Sequence, residues 1–269
     1  MSFDKIERKI VRPPAAHNVA RLLDTTCELK TTQNIAKFAL GIPTFNYIPA
    51  QKMCVDRVSM SLSLPTALLA VAKAGAPAGR EQNASLVRAF FEHDDRRGFS
   101  NLRVLKNYDG YFRISREILV PTAPTFTVLE NGKQVPVVLC GWKDFQLMRD
   151  QIRVWLTMLD SGLFSFADYR NSPWEVLLFP EAKVDEGYQR QPICIKPGDY
   201  PLFSESDMRE LASMYARAQQ AAMPIARELW EARESRRRES ALAQETVPHP
   251  ELPANAIRDL FASPGGKLP

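Results

Sequence analysis

The run Arg57-Val58-Ser59-Met60-Ser61-Leu62-Ser63-Leu64 alternates apolar and small polar residues without interruption. Side chains of an extended strand change face at every residue, so Val58, Met60, Leu62 and Leu64 would share one side and the serines the other. The pattern predicts a half-buried strand ended by Pro65, a residue excluded from ladder interiors but suited to the first turn of a helix. Leu68, Leu69, Val71 and Ala72 then give a short helix an apolar side, and Gly75, Pro77 and Gly79 break it. Gln82 or Asn83 can cap a second helix that buries Leu86, Val87, Phe90 and Phe91, with Arg88 beside them. One strand on two short helices leaves an unpaired backbone edge and a marginal core. Pairing with the same strand of a second chain removes both problems. The alternation also suits a half-buried strand in an unrelated α+β domain.

Over residues 55–95 the chain resembles the ribbon-helix-helix family of DNA-binding proteins. Leu64-Pro65 stands where that family's strand ends, a glycine-containing turn follows, and Leu86-Val87-Arg88 takes the place of the second helix's Leu-Ile-Arg-like triplet. The resemblance implies a homodimer that inserts a two-stranded ribbon into the major groove of double-stranded DNA. Ser59, Ser61 and Ser63 would approach base edges, with Arg57 near phosphate or base. Gln82 and Asn83, at the start of the second helix, would offer backbone amides to a phosphate. The sequence departs from the family in two ways. Serines replace the long polar or basic side chain usually found among the outward positions, and Pro77 with an early Gly79 alters the turn. Affinity would then draw on phosphate contacts outside the ribbon, from Arg80, Arg88 or the N-terminal Lys5, Arg8, Lys9 and Arg12.

Outward from this module the expected organisation is α+β throughout. Residues 1–50 form a basic helical extension in which Phe3, Ile6 and Ile10 share a face. Its cations are either a solvated face or an arm that touches phosphate. The module takes 51–98. A mixed α+β region spans 99–204, with strands at Thr125–Leu129 and Gln134–Cys140 joined by Asn131-Gly132, a dipeptide suited to a two-residue hairpin turn. Pro136 predicts an edge position or a bulge for the second of these strands. Phe145, Met148, Ile152, Trp155, Leu156 and Leu159 predict a helix from Lys143, ended at Gly162. Trp174–Phe179 reads as a further strand. A long helix over 205–245 is capped by Ser204 or Ser206 and bent at Pro224. Residues 246–269 are expected to be a flexible Pro-rich tail. Its apolar island Ala256–Phe261 would dock on a partner or on the protein's own surface.

Composition narrows the function. The chain has 269 residues, 45% hydrophobic and 25% charged, which excludes wholesale disorder. Its net charge of +4 permits nucleic-acid binding without requiring it. No apolar run approaches the roughly 20 residues that span a bilayer. Met1-Ser2-Phe3-Asp4-Lys5 lacks the apolar stretch of a secretory signal, and Cys27, Cys54, Cys140 and Cys194 never form CxxC. Both point to free thiols in the cytoplasm. His17, His93 and His249 lack metal-ligand spacing. Gly75–Arg80 is no phosphate loop, and Asp94-Asp95 beside His93 reads as a charged helix end. No metal, cofactor or catalytic residue is therefore expected. Arg103–Arg116, interleaved with Tyr108, Tyr111 and Phe112, suits either single-strand stacking or core aromatics. The reading is a cytoplasmic, nucleoid-associated DNA-binding transcriptional regulator, by analogy one carried on a plasmid or integrated element. RNA polymerase or another protein would be a further partner of the C-terminal region. The alternative is a non-enzymatic α+β scaffold or interaction subunit of a larger assembly.

Overall fold

The computed structural model describes residues 2–185 and 187–245. Its N-terminal helices follow the sequence pattern. Helix α1 (Phe3–Val11) buries Ile6 and Ile10, Pro13-Pro14 separates it from α2 (Ala16–Leu22), and α3 (Glu28–Leu40) buries Ile35, Ala36 and Ala39.

The alternating run is helix rather than strand. Helix α4 (Ile48–Met60) carries Pro49 in its first turn and buries Ala50, Cys54 and Val58, spaced four apart on one face. That stripe begins eight residues before the alternation does, so a period-two reading of 57–64 sees only its last member. Met60 is 67% exposed, which no strand with a buried Met60 face would allow. The serines serve the helix ends. Ser59 donates back to the Val55 carbonyl at 2.8 Å, Ser61 ends the helix at φ 54°, and Ser63 accepts the Thr66 amide at the start of α5 (Leu64–Lys73). The expected ribbon is thereby corrected, and with it the placing of Ser59, Ser61, Ser63 and Arg57 in a DNA groove. After a 3-10 turn at Pro77–Gly79, α6 (Arg80–Arg97) completes a three-helix layer.

This layer lies on a five-stranded sheet formed by β1 (Arg103–Leu105), β4 (Phe126–Glu130), β5 (Lys133–Cys140), β6 (Glu175–Leu178) and β9 (Ile193–Ile195), in that order. All neighbours are antiparallel except β5 and β6, whose parallel pairing follows from the crossover through α7 (Arg149–Leu159). Phe90 of α6 meets Phe126 and Phe179 edge-to-face over the sheet. Two separate hairpins pair β2 (Gly110–Arg113) with β3 (Leu119–Thr122) and β7 (Glu181–Val184) with β8 (Gly187–Arg190). Asn131 and Gly132 take φ 51° and 76°, the left-handed pair their turn was expected to need. Strand β5 is central, a correction to the edge position expected from Pro136. Its pairing with β6 begins only at Val137, one residue past the proline.

Helix α7 starts at Arg149 rather than Lys143, because Gln151 accepts the Met148 amide at 3.0 Å and fixes the first turn there. It runs into a π-helical turn over Asp160–Phe164. Helix α8 (Glu205–Glu245) is capped as expected, with Ser204 accepting the Asp207 amide at 3.2 Å. The chain divides into units 1–226 and 227–269, and none of residues 227–240 is buried. The expected tail with its apolar island lies outside the described residues. Among those described, no helix is long and apolar enough to cross a membrane.

Candidate anion-binding groove

Three N-terminal residues that were candidates from sequence, two on α1 and one just past its end, come together with one that was not. Arg8, Lys9 and Arg12 line a groove of about 640 Å³ with Arg21 of α2, over the apolar surface of Phe38 and Ile42. Each cation is held differently. Lys9 donates to the Gly41 carbonyl at 2.8 Å and the Ala39 carbonyl at 3.4 Å, at the C-terminal end of α3, where the helix dipole favours a positive charge. The Arg21 guanidinium lies 4.7 Å above the Trp142 ring and 5.9 Å from Phe38, within cation–π reach of both. Arg8 of α1 and Arg12, the residue that caps its C-terminal end, are both exposed. Among the described residues, no carboxylate lies within ion-pairing distance of any of the four.

Side-chain hydrogen bonds from α7 and α8 brace the frame behind the groove. Gln219 of α8 donates to the carbonyls of Ile10 at 2.6 Å and Val11 at 3.3 Å, closing the end of α1. Gln151 of α7 does the same for α2 through Arg21 and Leu23 at 3.1 and 3.2 Å. His17, one turn before Arg21, packs edge-on against Trp142 and Trp155. Burial, with repulsion from Arg21, lowers its pKa to about 4, so near neutral pH its ring adds no charge.

The other expected site residues are occupied elsewhere. Arg57 pairs with Asp94 at 2.8 Å and Asp95 at 2.7 Å, and lies over the Phe91 ring. Arg88 pairs with Glu81. Asn83 is buried, donating to Asn46 and Gly79 and accepting the Ala50 amide, so it pins α6 to α4. The Gln82 side chain accepts from Arg190. The start of α6 is covered at Gly79, where a Cβ would meet Phe45 at 2.3 Å. Arg80 and Glu81, in the first turn of α6, stay exposed. Lys5 is exposed on α1, one turn from Arg8 and Lys9.

The Cys140 and Cys194 thiols are poor nucleophiles. Burial pushes Cys140 up to about 12, and burial with the neighbouring Glu175 does the same for Cys194. Among the described residues, no cluster of His, Cys, Asp and Glu could hold a metal ion. The residues missed from sequence, Arg21, Phe38 and Ile42, carried one faint signal. Ile42-Pro43 leaves an apolar residue just past a helix end, and Ile42 is 61% exposed. Comparison with family models, curated proteins and solved structures finds no match to this chain.

Proposed function

We propose that this chain is a DNA-binding protein that engages the phosphate backbone through the groove between α1, α2 and α3. The observation that carries the reading is the gathering of Arg8, Lys9, Arg12 and Arg21 at one concavity without a carboxylate counter-ion among the described residues. Cations left unpaired on a fixed frame attract polyanions and release condensed counter-ions when they bind. The apolar floor at Phe38 and Ile42 supplies contact area for sugar and base surfaces. Contacts of this kind position a protein on nucleic acid and carry little sequence information. Ribbon reading of a major groove is not part of the proposal.

The test is fluorescence anisotropy of a labelled DNA duplex with the full chain and with an Arg8→Glu/Arg12→Glu double variant. The wild-type chain is expected to bind at low salt, and the variant at least about tenfold more weakly with an unchanged circular dichroism spectrum. Equal binding by both, or equal competition by polyglutamate and by duplex, would overturn the proposal.

A further inference from the structure

A second cavity, remote from the groove in sequence, lies between β2, the π-helical turn after α7 and the start of α8. We propose that it binds a small organic ammonium ion with an apolar body. Its volume of about 640 Å³ falls within the range of small-molecule sites. Phe112, Leu202 and Met208 supply apolar walls. Its polar groups are mostly satisfied from within. Thr157 donates to the Arg153 carbonyl at 2.7 Å and accepts the Phe203 amide at 3.0 Å, and Ser213 donates to the Arg209 carbonyl at 2.8 Å. Arg209 pairs with Glu205 one turn away on α8.

Among the described residues lining the cavity, Arg113, Ser161 and Asp160 lack such a side-chain bond, and the first two are exposed. Asp160 opens the π-helical turn and lines the cavity half-buried, and its carboxylate has no hydrogen bond or ion pair among the described residues. The charged groups facing the same space are Arg113 from β2 and the Glu205–Arg209 pair from α8. None of them offsets the effect of burial, which raises the Asp160 carboxyl. The backbone holds this residue in place. Thr122 of β3 donates to the Gly162 carbonyl at 3.0 Å, and Gly110 of β2 sits so close that a Cβ there would meet that oxygen at 2.0 Å. A π-helical turn inserts a residue into helical geometry and redirects the side chains around it. Here it presents a carboxylate with no bonded partner among the described residues to a space with apolar walls at Phe112, Leu202 and Met208, where its partial desolvation is unfavourable and a bound ammonium would relieve it. A protonated amine supplies the missing charge and donors, and its hydrocarbon part covers Phe112, Leu202 and Met208.

The test measures binding of 2-phenylethylamine, 2-phenylethanol and phenylacetate to the full chain by titration calorimetry near pH 7.5. The amine is expected to bind at least about tenfold more tightly than the alcohol, as one charge-assisted hydrogen bond supplies, and phenylacetate most weakly. Asp160→Asn should abolish the preference for the amine, whereas Glu205→Gln should retain it. Acidifying the wild-type chain through the carboxyl range, with the amine still protonated, should also erase the preference, a readout that does not depend on the variant folding. Equal affinity for amine and alcohol would overturn the proposal. So would a preference that survives Asp160→Asn or acidification.

Discussion

Arg57 shows how a residue's chemistry outlasts a change in its expected setting. Its guanidinium closes on Asp94, whose side chain is fully buried, and on Asp95. Arg57→Ala would leave the Asp94 carboxylate with the Ser100 amide as its remaining donor. It should destabilise the fold by about 2 kcal/mol, read as a lowered denaturant midpoint, with DNA binding unaffected once folding is restored by temperature. A ribbon role for Arg57 would give the opposite pattern. His17 supplies a pH-dependent prediction. Its pKa of 6.5 in the unfolded chain falls to about 4 in the folded one, so between these values only the unfolded state takes up the proton. Its contribution is complete above about pH 6.5 and declines as pH falls towards 4, by about 1.4 kcal/mol per pH unit at the steepest. His17→Gln should flatten that part of the stability–pH profile relative to wild type. Parallel profiles would show that the ring is not held neutral.

At the scale of elements, the boundary between α4 and α5 decides between two accounts of the same three serines. Ser61 is a non-glycine residue at φ 54°, and Ser63 caps the next helix. Ser61→Gly removes the steric cost of the left-handed conformation and should raise stability by about 0.5–1 kcal/mol, whereas Ser63→Ala should lower it by about 1 kcal/mol. Chemical denaturation of both variants checks this pair of signs. The hairpin at Asn131-Gly132, the Ile152, Trp155, Leu156 and Leu159 part of the α7 stripe and the Ser204 cap were legible because turn chemistry and helical period act locally, whereas Phe145 and Met148 of the expected stripe precede the helix and Met148 is exposed. The run 57–64 misled because its alternation is short. Ala50, Cys54 and Val58 form the competing period-four pattern, and two of its three members precede the alternation.

On the scale of the whole molecule, the groove draws on α1, α2 and α3 and is buttressed by α7 and α8, so its charge is a collective property. Binding to a DNA duplex should weaken steeply with salt, with log K falling against log salt at a slope of about −0.9 for each phosphate contacted. A series of titrations from low to physiological ionic strength measures it, and a flat response would contradict the phosphate-contact reading. Three of the groove's cations, Arg8, Lys9 and Arg12, were visible as a basic helix face. Arg21 was not, because only the packing of α2 against α7 and the position of Trp142 bring it to the same concavity. The Asp160 cavity was likewise illegible, since its walls come from three segments that are far apart in the chain, around Phe112, Asp160 and Met208.

By itself the sequence determined the α+β composition, the positions of most helices and of strands β4, β5 and β6, and the basic face of α1, because propensity, capping and turn geometry act over a few residues. Tertiary structure decided that 57–60 would be helical, by burying Ala50, Cys54 and Val58 in the layer over the sheet. It also decided which charges would be neutralised, as at Arg57 and Arg88, and which would have no ion-pair partner among the described residues, as at Arg8 and Asp160. Ion pairing is set by distances between segments far apart in the chain, and those distances exist only once the helices and the sheet have packed.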